Sequence, residues 1–161
     1  MPQITTCLWF DGKALEAAEF YVSVFPNARI TDVQRSLVDT PGDGAKIGDV
    51  LTVAFELDGK PFLGLNGGPA FQFNEAISLV IDCEDQAEVD YYWDAFLNGG
   101  GAPSACGWLK DRFGLSWQVT PKALIEMIRD PDAAKAKRAF EAMMNMVKLD
   151  IGALRLAFDG Q

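Results

Sequence analysis

The 161-residue chain contains no histidine, so any chemistry it performs has to come from carboxylates, thiols, amines, hydroxyls and amides. That absence removes Ser-His-Asp and Cys-His catalysis, imidazole acid–base work and histidine metal sites. Three catalytic candidates remain. Glu56 suits a general base if it lies in a cavity, or is an exposed carboxylate just before the Asp58-Gly59 turn. Cys106 and Lys110 form the second pair. Lys110 and Asp111 flank a turn, which either positions an anionic substrate or is simply a charged hairpin. Cys7 is a nucleophile if its thiolate is stabilised, and otherwise a small apolar side chain. The three cysteines (Cys7, Cys83, Cys106) are odd in number and widely spaced, with no C-x-x-C, which argues against a disulfide framework and against zinc.

These groups must be carried by regular elements. Ile4 to Phe10 reads as a strand, broken by Asp11-Gly12. A helix follows with Leu15, Ala18, Val22 and Phe25 at helical spacing, stopped by Pro26-Asn27. Arg29 to Val38 is a second strand and Pro41-Gly42-Asp43-Gly44 a turn or loop. Val50 to Leu57 alternates as a third strand, and Asp58-Gly59 is a hairpin signal leading to a strand over Pro61 to Asn66. The pattern then restarts. Ala76 to Asp82 is a strand, and Asp85 caps a helix bearing Val89, Tyr92, Trp93 and Phe96, which Asn98-Gly99-Gly100-Gly101 ends. Short strands follow around Cys106 to Leu109 and Leu115 to Thr120. A shift of 71 residues places Asp11 on Asp82, Phe20-Tyr21 on Tyr91-Tyr92 and Phe25 on Phe96, a pattern-level internal duplication. In the tail, Asp130-Pro131 reads as a helix start. Phe140, Met143, Met144 and Val147 form an apolar packing stripe, and Ile151 to Phe158 is a last short helix that, with its neighbour, covers a sheet edge or a partner. Lys135, Lys137 and Arg138 read as a solvated helix face.

Alternation assigns strand faces. Ile4, Leu8 and Phe10 meet the helices, as do Ile77, Leu79 and Ile81, and Leu115, Trp117 and Val119. The opposite faces carry Thr5, Cys7 and Trp9; Thr52, Ala54 and Glu56; Ala76, Ser78 and Val80; and Ser116, Gln118 and Thr120. Small and polar, they either line a ligand cavity or form a wet sheet face. Trp9, Phe71, Phe73 and Trp108 offer flat surfaces near its mouth for aromatic or conjugated ligands. The candidate ligand-binding set is therefore Thr5, Cys7, Trp9, Thr52, Phe71, Phe73, Ser78, Trp108, Ser116 and Gln118.

A net charge of −9 without a basic cluster excludes nucleic acid and anionic lipid surfaces as partners. No apolar run reaches the roughly 18–20 residues of a membrane span. Met1-Pro2-Gln3-Ile4 lacks the layout of a signal peptide, so a cytoplasmic location is expected.

The segments Ile4-Thr5-Thr6-Cys7-Leu8-Trp9-Phe10-Asp11, Glu19-Phe20-Tyr21, Phe73-Asn74-Glu75-Ala76-Ile77-Ser78-Leu79 and Cys106 to Gln118 resemble the PhnB-like branch of the glyoxalase/bleomycin resistance/dioxygenase (vicinal oxygen chelate) superfamily. Many members of that branch carry the name 3-demethylubiquinone-9 3-methyltransferase. The resemblance implies an α+β fold of paired β-α-β-β-β modules in a half-open mixed sheet or barrel, commonly in a homodimer. Residues 1–161 are then one domain, with modules over 1–70 and 71–121 and a helical extension over 122–161. Superfamily enzymes hold a divalent metal through His and Glu on four strands. Carried over, those positions fall on Thr5, Ala76, Gln118 and a residue near Leu65 or Asn66, a poor donor set for any divalent cation. No metal and no cofactor are therefore expected. Nor does a G-x-G-x-x-G follow a strand, so no S-adenosylmethionine motif supports the methyltransferase name. The expectation is a metal-independent small-molecule-binding protein with a hydrophobic or aromatic ligand. The alternative is a lyase, isomerase or transferase of the same fold, including the nominal methyltransferase, acting through Glu56, Cys106 or Lys110.

Overall fold

The computed structural model describes residue 2 and residues 4–40 and 45–161; the turn expected at Pro41-Gly42-Asp43-Gly44 lies outside them. The chain divides into two compact units, Met1–Phe73 and Asn74–Gln161.

The first unit runs β1 (Thr6–Phe10), α1 (Ala14–Val24), β2 (Ala28–Arg35), β3 (Val50–Leu57) and β4 (Lys60–Asn66). Its sheet has the order β1-β4-β3-β2, with β1 parallel to β4 and the other pairs antiparallel. Strand alternation puts Leu8, Phe10, Val53, Phe55 and Leu57 on the buried face, as expected. The hairpin closes as its Asp-Gly signal requires, since Asp58 and Gly59 both take positive φ, 48° and 72°.

The helix buries Ala14, Ala17, Ala18, Tyr21 and Val24, a face rotated from the Leu15-Ala18-Val22-Phe25 reading. Close approach is the reason. A Cβ on Gly64 of β4 would stand 3.2 Å from the Ala14 Cβ, so the helix lies on the sheet through its alanines, and the bulky residues flank the contact. No side chain of its own caps α1. The Ala14 N–H instead donates to Asn66 Oδ1 at 2.9 Å, from the end of β4.

The second unit repeats this plan with β5 (Ser78–Cys83), α2 (Gln86–Asn98), β6 (Ala102–Pro103), β7 (Trp108–Lys110) and β8 (Ser116–Pro121), in the order β5-β8-β7-β6 and with β5 parallel to β8. Two open four-stranded mixed sheets with the same connectivity are the duplication that the sequence pattern suggested. The helix cores correspond at 72 residues rather than 71. Ala17, Tyr21 and Val24 answer to Val89, Trp93 and Phe96. Asp85 caps α2 as expected, accepting from the Glu88 N–H.

Three helices follow: α3 (Lys122–Ile128), which periodicity did not reveal, α4 (Ala133–Met144) and α5 (Ile151–Asp159). The cap of α4 is Asp132, not Asp130; its carboxylate accepts from the Ala134 and Lys135 N–H groups, and Pro131 stands before the cap. Leu124, Met127, Ala139, Leu149 and Leu154 form the core of this layer. Of the expected apolar stripe only Met143 packs against it; Phe140, Met144 and Val147 are exposed. Arg138 leaves the solvated face to which it was assigned and donates to the Ala157 and Phe158 carbonyls, capping the end of α5. The layer is pinned to the second unit by backbone bonds from the Cys106 and Gly107 N–H groups to the Met146 and Val147 carbonyls, each 2.8 Å. Gln86 adds two more ties, donating to the Leu149 carbonyl and accepting from the Ile151 N–H. Among the described residues, no helix is long and apolar enough to cross a membrane.

Candidate functional site

The face of the second sheet turned away from α2 brings five candidate residues together. Register sets Lys110 of β7, Ser116 of β8 and Ser78 of β5 side by side in one row. Trp108, Gln118 and Val80 form the next row. Partners in register stand about 4.5–5.5 Å apart at Cβ, so each row is a contiguous surface. The Gln118 amide donates to Ser78 Oγ at 2.8 Å. Ser116 is buried, and its Oγ is the one buried side-chain polar atom without a hydrogen-bond partner among the described residues. At the edge, Lys110 Nζ lies 2.5 Å from Glu75 Oε1, both ends exposed. This ion pair holds the Glu75 carboxyl below its usual range. β5 begins only at Ser78, so strand alternation does not govern the Glu75 side chain.

The motif around this face has an inward half that explains itself structurally. Asp111 is buried, and its Oδ1 accepts from the Phe113 and Leu115 N–H groups at 2.9 and 3.1 Å, while Oδ2 accepts from the Trp117 indole at 2.9 Å. Asp111 is thus the organiser of the β7–β8 turn, a role that its charge had left open. Cys106 lies outside β7 at positive φ, 59°, in the segment that meets the C-terminal helices.

The corresponding face of the first sheet carries Cys7, Leu63, Ala54 and Asp32 in one row and Trp9, Leu65, Thr52 and Gln34 in the next. The Trp9 indole donates to the Gly68 carbonyl at 2.8 Å and meets Phe71 edge-on at 4.9 Å. Gly67 lies flat against that ring, where a Cβ would come within 2.3 Å of it. Phe73 goes elsewhere, onto the helix-facing Phe10, at 5.3 Å. Thr5 is exposed and precedes β1. Glu56 faces Arg29 across β2 and β3, and the guanidinium holds Oε2 at 2.9–3.0 Å.

Neither Cys7 nor Cys83 is poised for nucleophilic work. Partial desolvation pushes the Cys7 thiol up, opposite to the shift a nucleophile needs. Cys83 is buried, and burial first, then Glu88, Asp82 and Asp85, pushes it up to about 12. N-ethylmaleimide on the native protein at pH 8 should therefore leave Cys83 unmodified, its adduct appearing only in denaturant. Rapid native labelling of the Cys83 peptide would contradict this. Because the unfolded thiol ionises near 8.5, the same burial predicts stability falling as pH rises above that value.

Metal ligation is tested by the donors present at the four carried-over positions. Ala76 has none, and Thr5 offers a hydroxyl. Gln118 spends its amide N–H on Ser78. The fourth position resolves into Leu65, which shares the open face, and Asn66, whose side chain caps α1 and donates to the Val50 carbonyl. Among the described residues no group of three or more His, Cys, Asp or Glu side chains could hold a metal ion. The donor set does not fit a chelated divalent cation.

Residues 2–120 match the family model described as 3-demethylubiquinone-9 3-methyltransferase. The chain belongs to that PhnB-like family. A PhnB protein from Bacillus cereus that bears the same methyltransferase name is 35% identical, with a TM-score of 0.64 over 74% of this chain and 99% of its own. The protein PA1353 from Pseudomonas aeruginosa is similar in fold at 20% identity, with a TM-score of 0.59 over 75% of this chain and 98% of its own. The fosfomycin resistance protein FosX from Listeria monocytogenes is 13% identical and reaches a TM-score of 0.51 over 75% of this chain and 93% of its own. No curated protein matches the sequence. The PhnB-like chain therefore has the glyoxalase/bleomycin resistance fold, with its three terminal helices beyond the matched segment.

Proposed function

We propose that this PhnB-like chain binds a small molecule with a hydrophobic or aromatic body, without a metal, and works as a homodimer in the cytoplasm. The observation that carries the reading is the set of neutral polar and aromatic side chains on the second sheet's open face. Where a metal-binding relative needs carboxylate or imidazole, this face offers Gln118 hydrogen-bonded to Ser78, beside Trp108 and an exposed Val80. Neutral hydrogen-bonding groups beside an aromatic plane orient an organic ligand, and they supply no charge to hold a hard cation. Glu56 already has Arg29 as its partner and the Cys7 thiol is pushed up, so neither supplies the activated group that a catalytic reading requires.

The test is native mass spectrometry of freshly purified protein, repeated after incubation with excess Mn²⁺, Ni²⁺ or Zn²⁺ and with S-adenosylmethionine. A dimer that retains an organic mass and takes up no stoichiometric metal is the expected result. Stoichiometric metal that disappears in Gln118→Ala would overturn the metal-independent reading. Stoichiometric S-adenosylmethionine would give the family's methyltransferase name a mechanism here.

A further inference from the structure

Three features of the second sheet's open face concern charge rather than shape, and together they name a part of the ligand. Ser116 is 1% exposed and its Oγ has no partner. A buried hydroxyl left so loses its bonds to water without replacement, and natural structures seldom tolerate one unless something else supplies the missing bond. Ser116 stands in register between Lys110 and Ser78. Lys110 in turn is occupied by a carboxylate from its own chain, Glu75, at 2.5 Å.

We propose that the Lys110–Ser116–Ser78 row, with Gln118 beside it, seats an oxyanion carried by the ligand, and that Glu75 holds this place until the ligand displaces it. This rests on the reading of the face as a small-molecule site and adds the ligand's acid group: a flat apolar body against Trp108 and Val80, ending in a carboxylate, sulfonate or phosphate. A cation, two hydroxyls and an amide in adjoining positions form a recognition set for such a group. Exchange costs little, because both sides of the Lys110–Glu75 pair are solvent-exposed, and water screens such pairs. The whole-chain charge of −9 works against anions, so a preference for an acid over its neutral analogue has to originate locally.

Two probes share one aromatic body: 8-anilinonaphthalene-1-sulfonate, and N-phenyl-1-naphthylamine, which lacks the sulfonate. By fluorescence titration of the full chain, the sulfonate should bind at least about tenfold tighter, the factor that one hydrogen bond to a charged group supplies. Lys110→Met should remove that preference and leave the neutral probe's affinity in place. Glu75→Gln should strengthen the sulfonate alone. Ser116→Ala should weaken the sulfonate without lowering the thermal midpoint, which a structural hydroxyl would not allow. Benzoate and phenyl phosphate should displace the sulfonate and benzyl alcohol should not, the stronger competitor of the two anions identifying the headgroup. Equal affinities for the two probes, or an unchanged preference in Lys110→Met, would overturn the oxyanion seat and leave the aromatic-binding reading standing. Failure of both probes to bind would overturn both.

Discussion

Asp111→Ala is expected to lower the unfolding free energy by about 3–4 kcal/mol, since it strands two buried donors at about 1–3 kcal/mol each and a third at the turn. For a chain of this size that corresponds to a fall of roughly 10 °C in thermal midpoint. The stranded groups are the Leu115 N–H, the Trp117 indole N–H and the Phe113 N–H. Asp111→Asn should fall in between. Its carbonyl oxygen can keep the two backbone bonds, but its amide then presents a donor to the Trp117 donor. Thermal denaturation of the three proteins checks this order. Ligand binding per folded molecule should be unaffected, because Asp111 points away from Lys110, Ser116 and Gln118. A variant that keeps its midpoint while losing ligand would show that the carboxylate belongs to the site after all.

Gly107→Ala is expected to cost about 3 kcal/mol, from two sources. The backbone there has φ of 80°, a left-handed conformation that costs an L-residue about 1–2 kcal/mol. The new Cβ would also stand 2.9 Å from both Leu149 Cδ1 and the Val119 carbonyl oxygen. Inserting a methyl group into packed surroundings costs about 1–3 kcal/mol. Because Gly107 donates to Val147 and accepts from the Val119 N–H, the substitution should loosen the C-terminal layer first. Hydrogen exchange at the Gly107 and Val119 amides would report it. Combining it with Leu149→Ala should show a favourable coupling of about 1 kcal/mol, since the second change removes the side-chain atoms that the Cβ strikes. Strict additivity would mean that the clash with Leu149 plays no part.

Much of the fold was legible because period-2 alternation and turn chemistry are local. Val50 to Leu57 and the Asp58-Gly59 hairpin are set by neighbours in the chain, and the structure reproduces both. Helix faces were less legible. Which side of α1 is buried depends on Gly64, 50 residues from Ala14, permitting an alanine-lined approach that hydrophobic spacing does not encode. The two-residue β6 and the seven-residue α3 are too short for periodicity to register. The site residues divide in the same way. Ser78, Ser116 and Gln118 were found by alternation. Glu75 was not found that way, because it precedes the strand. The fourth carried-over metal position stayed open between Leu65 and Asn66, and the Asn66 side chain serves the start of a helix from another part of the chain.

By itself the sequence determined the chemical vocabulary: without histidine it ruled out imidazole catalysis, and its net charge of −9 comes with no basic cluster of the kind that holds phosphate backbones. It also determined the repeated strand–helix plan and the family, because composition, alternation and capping are properties of residues and their near neighbours. The tertiary structure decided which polar groups are spent and which are left over. Asp111 and Asn66 are consumed by the fold, Arg29 occupies Glu56, and Ser116 is buried without a partner beside an ion-paired Lys110. The physical reason is that hydrogen-bond satisfaction depends on strand register and long-range packing, and neither quantity exists until separate strands are laid side by side.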